Sequence, residues 1–350
     1  MDRPASAPRR IVAIGGGTGL PAVLRGLRPL VTAGVSEDLT AVVTVTDDGG
    51  SSGRLRRSMG LPPPGDIRNC LVALSEDEEL LSGLFQHRYG ASNELEGHSV
   101  GNLILAALAE QTGCFLKAIE LSSRVLRTAG RILPATQANV SLEALLADGS
   151  RVVGETSINT CGQAIRRVFL HPEAAAPAPG VLEAIQQADL VAIGPGSLHT
   201  SVLPNLLVSG VARALVETQA VVVLIANLVR ERGEAIGLDL ADHVAVVEDH
   251  AGAPFLDAVV VHDGPLDPST LLRYEAEGAT PLAWPGERDG WPRVVRRNLV
   301  APGWKLRHEP KATAGALIET WALMEQDRDR RALDRSVRPA RVRVGGDEHR

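Results

Sequence analysis

Three polar, glycine-rich segments contain the residues best suited to binding a phosphorylated ligand. They span residues 15–19, 47–53 and 194–197, and each follows a short apolar segment typical of a buried strand. Loops at the carboxyl ends of parallel strands meet in one crevice, and glycines let backbone N–H groups approach phosphate. The pattern predicts a phosphorylated or nucleotide ligand held by the first and third segments, through Gly15, Gly16, Gly17, Thr18, Gly19, Gly194, Gly196 and Ser197.

The first segment matches the dinucleotide-binding fingerprint loosely. Gly17-x-Gly19-x-x-Ala22 satisfies the G-x-G-x-x-A form, whereas the frame that starts at Gly15 has Leu20 in place of the last glycine. NAD(P) is therefore one possible ligand, and a tight turn without a ligand is the alternative. The segment lacks the lysine of a P-loop, which argues against ATP hydrolysis of that type.

The second segment adds carboxylates and hydroxyls. Asp47 and Asp48 end a predicted central strand, and Ser51 and Ser52 follow. Carboxylates beside a donor-rich loop can bind Mg²⁺ or ligand hydroxyls, and the arginines at positions 54, 56 and 57 can pair with diphosphate. Adjacent aspartates cannot both point the same way. Mg²⁺ at Asp47 and Asp48 is therefore possible but not required, and a polar turn with solvated charges is the alternative.

Two further polar positions follow predicted elements. Asp66, Arg68 and Asn69 lie within one helical turn, where Arg68 could bind phosphate while Asp66 either caps the helix or contacts the ligand. Asn227 ends a later strand, where its amide could recognise a base or sugar or cap the strand end.

Composition excludes several classes of protein. The nine histidines show no H-E-x-x-H spacing, and the three cysteines are far apart. A formal net charge of -6 argues against a nucleic-acid binder. No apolar run approaches the roughly 20 residues of a spanning helix. We therefore expect no bound zinc, no membrane insertion and a cytoplasmic location.

The apolar pattern predicts an α/β fold. Strands are expected at residues 11–14, 39–46, 190–193, 221–226, 244–247 and 259–261, and helices at 21–30, 67–74, 100–110, 181–188 and 203–217. Segments 141–146 and 151–157 around Asp148-Gly149 predict a β-hairpin. These elements indicate a Rossmann-like three-layer sandwich with a mostly parallel central sheet and an additional hairpin. We expect a flexible segment 1–10, one ligand-binding domain over 11–325, and an Arg-rich disordered tail over 326–350.

Six motifs in this order resemble the bacterial gluconeogenesis-factor family, often called YvcK. They begin at residues 15, 47, 63, 97, 192 and 201 and read GGGTGL, DDGGSSG, PPGDIRNCL, GHSVGNL, AIGPGS and SVLPNLLV. The resemblance covers roughly residues 11–323, and its fourth motif adds His98 and Asn102 to the expected ligand-binding residues.

The resemblance implies a Rossmann-like cytoplasmic protein that binds a UDP-sugar. Such a regulator supports cell-wall synthesis and cell shape during growth on gluconeogenic carbon sources, through cell-wall or regulatory proteins and with homo-oligomers possible. The same superfamily includes 2-phospho-L-lactate transferase, which is Mg²⁺-dependent. A transferase acting on a nucleoside-diphosphate-linked substrate is therefore the alternative, with Asp47, Asp48 and Asp66 as the positions to carry over. An NAD(P)-dependent oxidoreductase is a third, resting on the loose fingerprint alone.

Overall fold

A computed structural model describes residues 7–76, 80–90, 94–230, 236–282, 284, 286 and 290–337, with side chains to residue 330. The strands in these ranges are β1 (Arg10–Gly15), β2 (Asp38–Val43), β3 (Arg131–Pro134), β4 (Ser141–Leu146), β5 (Arg151–Val153), β6 (Ile165–His171), β7 (Leu190–Ile193), β8 (Val221–Ile225), β9 (Val229–Arg230), β10 (Ala258–His262), β11 (Thr280–Pro281) and β12 (Arg293–Arg297).

The helices lie between these strands and complete two outer layers. They are α1 (Gly19–Thr32), α2 (Gly50–Met59), α3 (Gly65–Leu74), α4 (Leu80–Gln86), α5 (Val100–Thr112), α6 (Phe115–Leu126), α7 (Glu155–Thr160), α8 (Val181–Gln187), α9 (Leu203–Leu206), α10 (Val211–Glu217), α11 (Leu240–Ala251), α12 (Pro268–Ala276) and α13 (Pro310–Val337).

Seven parallel strands form the central sheet, in the order β12-β10-β8-β7-β1-β2-β3. Strands β2 and β3 lie on one side of β1. The later strands β7, β8, β10 and β12 lie on its other side. The strand order therefore reverses between β1 and β7, and ligands of open α/β sheets bind at such a reversal. Continuous apolar stretches such as β8, in which all five residues are buried, fit strands covered on both faces.

Alternate residues of the central strands contribute to two apolar cores, one on each face of the sheet. Val12 and Ile14 of β1 point to one core, whereas Ile11 and Ala13 point to the other. The predicted three-layer α/β architecture is thereby confirmed.

The predicted hairpin is present as part of a three-stranded antiparallel sheet, in the order β5-β4-β6. The Asp148 carboxylate accepts the Ser150 N–H at 2.8 Å, and Gly149 supplies the positive φ of 87° that the turn requires. The second strand ends at Val153, because Glu155 begins α7 where we predicted strand.

Other expectations differ from the structure. Residues 244–247 lie within α11, where Val244 and Val247 are buried at helical spacing after an Asp239–Asp242 capping box. The polar segment after residue 49 is helix α2, and the predicted helix 203–217 is divided into α9 and α10 at Gly210. Strands β3, β6 and β12 were not predicted, since β12 reads RVVRR with little apolar character.

Both ends of the predicted domain extend further than expected. Helix α13 continues to Val337, and the Arg328 guanidinium donates to the carbonyl oxygens of Gln219 and Ala220 at 2.8 and 3.2 Å. Helix α13 thus continues past residue 325, where we expected the domain to end, and residues 338–350 lie outside the described residues. At the other end, the N–H groups of Arg9 and Arg10 both donate to Asp189 at 2.8 Å. Only residues 1–6 of the predicted flexible segment lie outside the described part.

Within the described ranges, no helix is both long enough and apolar enough to cross a membrane.

Candidate functional site

The first glycine loop connects β1 to α1 and packs directly on the third loop. Gly17 has a φ of 61°, a left-handed conformation that favours glycine. A Cβ atom at Gly19 would overlap the carbonyl oxygen of Pro195. The two predicted phosphate loops are therefore in contact, as the adjacency of β1 and β7 requires.

The third loop is fixed by a side chain that follows strand β8. The Gly196 N–H donates to Asn227 Oδ1 at 3.0 Å, and Asn227 Nδ2 donates to the Gly196 carbonyl at 2.9 Å. The Asn227 amide thus fixes the loop backbone, and both of its polar atoms are engaged. Ser197 then leads into a π-helical turn, Leu198–Val202, and accepts the N–H of Ser201 at 2.8 Å.

A cavity of about 310 Å³ lies beside these two loops. Its charged walls are arginines, Arg25 from α1 and Arg307 from the segment before α13; none of its described lining residues is a carboxylate. His308 also lines it, and burial lowers the pKa of His308 to about 4, so this imidazole is neutral at physiological pH. The complete lining is Thr18, Gly19, Ala22, Arg25, Pro195, Gly196, Asn227, Leu228, Val229, Ala301, Leu306, Arg307, His308 and Pro310.

A second cavity, of about 180 Å³, shares Asn227 and Leu228 with the first. It lies at the ends of β8 and β10, and its walls include His262 and Trp284. Together the two cavities offer a mixed polar and apolar space at the carboxyl edge of four adjacent strands.

The two aspartates of the second loop diverge, as expected for neighbours. Asp47 Oδ1 accepts the Gly49 N–H at 2.9 Å within its own loop. Asp48 Oδ1 accepts the N–H and the hydroxyl of Thr156, at 2.9 and 2.7 Å, near the start of α7. The structure thus gives Asp48 a role in holding α7 against the second loop.

Asp66 does not cap its own helix, contrary to one of our two expectations. Helix α3 begins at Gly65 without a side-chain cap, and Asp66 Oδ2 instead accepts the Gly17 N–H at 2.7 Å. Burial raises the pKa of Asp66 to about 6, the Gly17 hydrogen bond opposes the rise, and the charge of Asp47 adds to it. One amide of the first glycine loop is therefore bonded to a carboxyl group that titrates near neutrality.

No group of three or more histidine, cysteine or acidic residues in the described ranges is arranged to hold a metal ion. Mg²⁺ nevertheless binds through one or two carboxylates plus phosphate oxygens and water. Asp47 and Asp66 fit that reduced requirement better than Asp47 and Asp48, since the charge of Asp47 acts on Asp66, whereas Asp48 Oδ1 already accepts two hydrogen bonds from Thr156.

The remaining predicted residues form a separate polar network. Arg68 donates to the side chains of Asn69, Ser99 and Asn102, at 2.7, 2.5 and 3.2 Å. Ser51 Oγ lies 2.9 Å from His98 Nδ1 and accepts Asn102 Nδ2 at 3.1 Å. Ser52 is buried, and a Cβ atom at Gly65 would lie 2.5 Å from its hydroxyl. None of these residues lines the first cavity.

Arg25 and Arg307 were not among the residues predicted from the sequence. Thr18, Ala22 and Arg25 have the spacing of one helix face. The sequence could therefore have predicted that Arg25 lies beside the glycine loop that precedes α1. Arg307 comes from an irregular segment between β12 and α13, and no local pattern connects it to loops more than 100 residues earlier.

Comparison with known proteins agrees with this architecture. The family model described as 2-phospho-L-lactate transferase CofD matches residues 11–298. A gluconeogenesis factor of Halalkalibacterium halodurans is 47% identical over 274 residues, 78% of this chain and 84% of that protein. The gluconeogenesis factor of Bacillus subtilis is 44% identical over 313 residues, 89% of this chain and 97% of that protein.

A crystal structure of a UPF0052 family member from Bacillus halodurans superposes with a TM-score of 0.83 at 41% identity. The alignment covers 89% of this chain and 99% of that one. The chain therefore belongs to the CofD family and, within it, to the relatives named gluconeogenesis factor.

Proposed function

We propose that this protein is a cytoplasmic regulator that binds a UDP-sugar, with the diphosphate at the loops of residues 15–19 and 194–197. The observation that carries the proposal is the cavity beside these loops, whose charged walls are Arg25 and Arg307 without a carboxylate among the described lining residues. Glycine-loop amides and guanidinium groups are the donors that diphosphate recognition uses. The adjoining cavity provides space for the base or the sugar.

The names of the relatives support the regulatory part of the proposal. Proteins over 40% identical along most of the chain are named gluconeogenesis factor. In our proposal, ligand binding shifts a surface that contacts a cell-wall enzyme or its regulator and so adjusts cell-wall synthesis and cell shape. Nucleic acid has no part in this function.

Calorimetric titration with UDP-N-acetylglucosamine, UDP-glucose, GDP and NADP, each with and without Mg²⁺, tests the proposal. We expect micromolar, Mg²⁺-independent binding of a UDP-sugar that is recovered chemically intact. Arg25→Gln and Arg307→Gln should each weaken binding about tenfold or more, because each removes charge-assisted hydrogen bonds. Arg213→Gln is the matched control, since Arg213 is exposed on α10 and outside the cavity lining. Equal affinity in all three variants would contradict the proposed diphosphate position.

The alternative is a Mg²⁺-dependent transferase, favoured by the acidic pair next to the first glycine loop. The charge of Asp47 contributes to the raised pKa of Asp66, and a cation between a diphosphate and this pair would relieve that repulsion. Mg²⁺ would supply Lewis-acid stabilisation of the leaving diphosphate, while the arginines orient it. Mg²⁺-dependent preference for GDP, with conversion of a GDP-linked donor, would favour this function over the regulator.

A further inference from the structure

Arg68 is a buried cation, and none of the described carboxylates lies at ion-pair distance from it, although the charges of Asp66 and Asp47 act on it from further away. The residue is 8% exposed, and its hydrogen-bond partners Asn69, Ser99 and Asn102 are all neutral. Its Nε atom is buried and has no partner among the described residues. Burial lowers the pKa of Arg68, since the charged form is deprived of water. A buried charge that is not neutralised costs free energy in the folded state. The presence of a buried arginine at position 68 therefore calls for an explanation.

Two more arginines bond to the segment that leads to Ser99, the hydrogen-bond partner of Arg68. Arg54 donates to the Glu96 carbonyl, and Arg88 donates to the Gly97 carbonyl, so both lie at the segment that precedes α5. Among the described residues, no ion pair joins Arg54, Arg68 or Arg88 to an acidic group. The nearby aspartates bond elsewhere, Asp66 to Gly17 and Asp47 to Gly49.

The positive charge of Arg54 and Arg88 affects the pKa of His98. Its pKa is lowered first by burial and then by Arg54 and Arg88. Its Nδ1 lies 2.9 Å from Ser51 Oγ, in the first turn of α2. No side chain caps α2, so the partial positive charge of its N-terminus adds to that of the arginines.

We propose that Arg54, Arg68, Arg88 and His98, here called the Arg68 cluster, bind the phosphate monoester of a second ligand. Three guanidinium groups, an imidazole and a helix N-terminus match the two negative charges and three oxygens of a phosphate monoester better than the single charge of a carboxylate. The proposal goes beyond the UDP-sugar function and does not depend on it, because no residue of the cluster lines the diphosphate cavity.

Titration of the purified protein with inorganic phosphate, at constant ionic strength, tests the site. We expect a phosphate-binding event that persists when Arg25 and Arg307 are both replaced by glutamine, and we expect acetate to bind more weakly at the Arg68 cluster. Arg54→Gln and Arg88→Gln should each weaken phosphate binding about three- to fivefold, the upper part of the range for a solvent-exposed ion pair. The double variant should weaken it roughly tenfold or more. Arg54 and Arg88 are exposed residues, so these variants should fold. Circular dichroism would verify that they do.

Two controls separate this site from the UDP-sugar site. Arg57→Gln removes an exposed arginine from the same helix α2 and should leave phosphate affinity unchanged. Arg25→Gln combined with Arg307→Gln should also leave it unchanged. Absence of phosphate binding, an Arg54/Arg88 double variant that binds like the wild type, or a loss confined to the Arg25/Arg307 variant would each overturn the proposal.

Discussion

The raised pKa of Asp66 allows a quantitative test of how much its buried charge destabilises the folded protein. Its pKa rises from the ordinary value of 3.8 to about 6 in the folded protein, mainly through burial. At about 1.4 kcal/mol for each tenfold change in proton affinity, the ionised group destabilises the fold by about 3 kcal/mol. Asp66→Asn removes that ionisation, while the amide oxygen can still accept the Gly17 N–H.

The direction of the pH effect follows from the raised pKa. The folded protein binds the proton more tightly than the unfolded chain, so this group's stabilising contribution is complete below pH 3.8 and is lost as the pH rises through 6. The variant should therefore gain stability relative to the wild type as the pH increases. The ionisation contribution to the difference should be about 0.6 kcal/mol near pH 4 and about 3 kcal/mol near pH 8.

Urea unfolding followed by circular dichroism across this pH range measures the difference. Asp148→Asn is a control of opposite sign, because hydrogen bonds from Ser150 lower the pKa of Asp148. That variant should lose stability at neutral pH, and the loss should fade as the pH falls through the acidic range. A stability difference for Asp66→Asn that stays constant between acidic and alkaline pH would refute the buried ionisation.

Three further substitutions test the loops and their surroundings. Gly19→Ala should destabilise the protein by about 1–3 kcal/mol in urea unfolding, because the new methyl group overlaps the Pro195 carbonyl, and it should abolish UDP-sugar binding in calorimetry. Gly315→Ala, at an exposed helical position with no atom within 4 Å of the new Cβ, should instead stabilise it by roughly 0.5–1 kcal/mol in the same assay. Asp48→Ala should cost about 1–2 kcal/mol through loss of the Thr156 bonds, without changing UDP-sugar affinity. Reduced affinity at full stability would instead place Asp48 on the ligand.

The strands that carry the site were predictable because they are apolar, and because β1 and β7 lead into glycine-rich turns. Residues 190–193 coincide with β7, and the adjacent strands β1 and β8 were found within two residues at each end. The prediction of a strand at residues 244–247 was wrong because three valines within four residues fit a helix as well as a strand over such a short length. The basic strand β12 was not predicted because a single one of its residues, Val295, is buried, which leaves little apolar pattern in the sequence.

The residues of the glycine loops and of the polar network were predicted from the sequence, whereas the contacts between them were not. Whether Asp66 caps its helix or bonds Gly17 depends on packing across 49 residues of sequence, which no local pattern contains. The same holds for Asn227, whose engagement with Gly196 required the third loop to lie beside β8. Local chemistry therefore identified candidate residues, and the sheet order determined their partners.

The contacts that build the first cavity also constrain how the protein acquires its binding site. The hydrogen bond from Asn205 to the Gly15 carbonyl spans 190 residues. No N-terminal fragment that ends before β7 can form the diphosphate site, so binding competence should arise late in folding, when the two halves of the sheet pair. A ligand that recognises only this completed state stabilises the whole domain by mass action. Protection from proteolysis should consequently extend across both halves of the sheet at once.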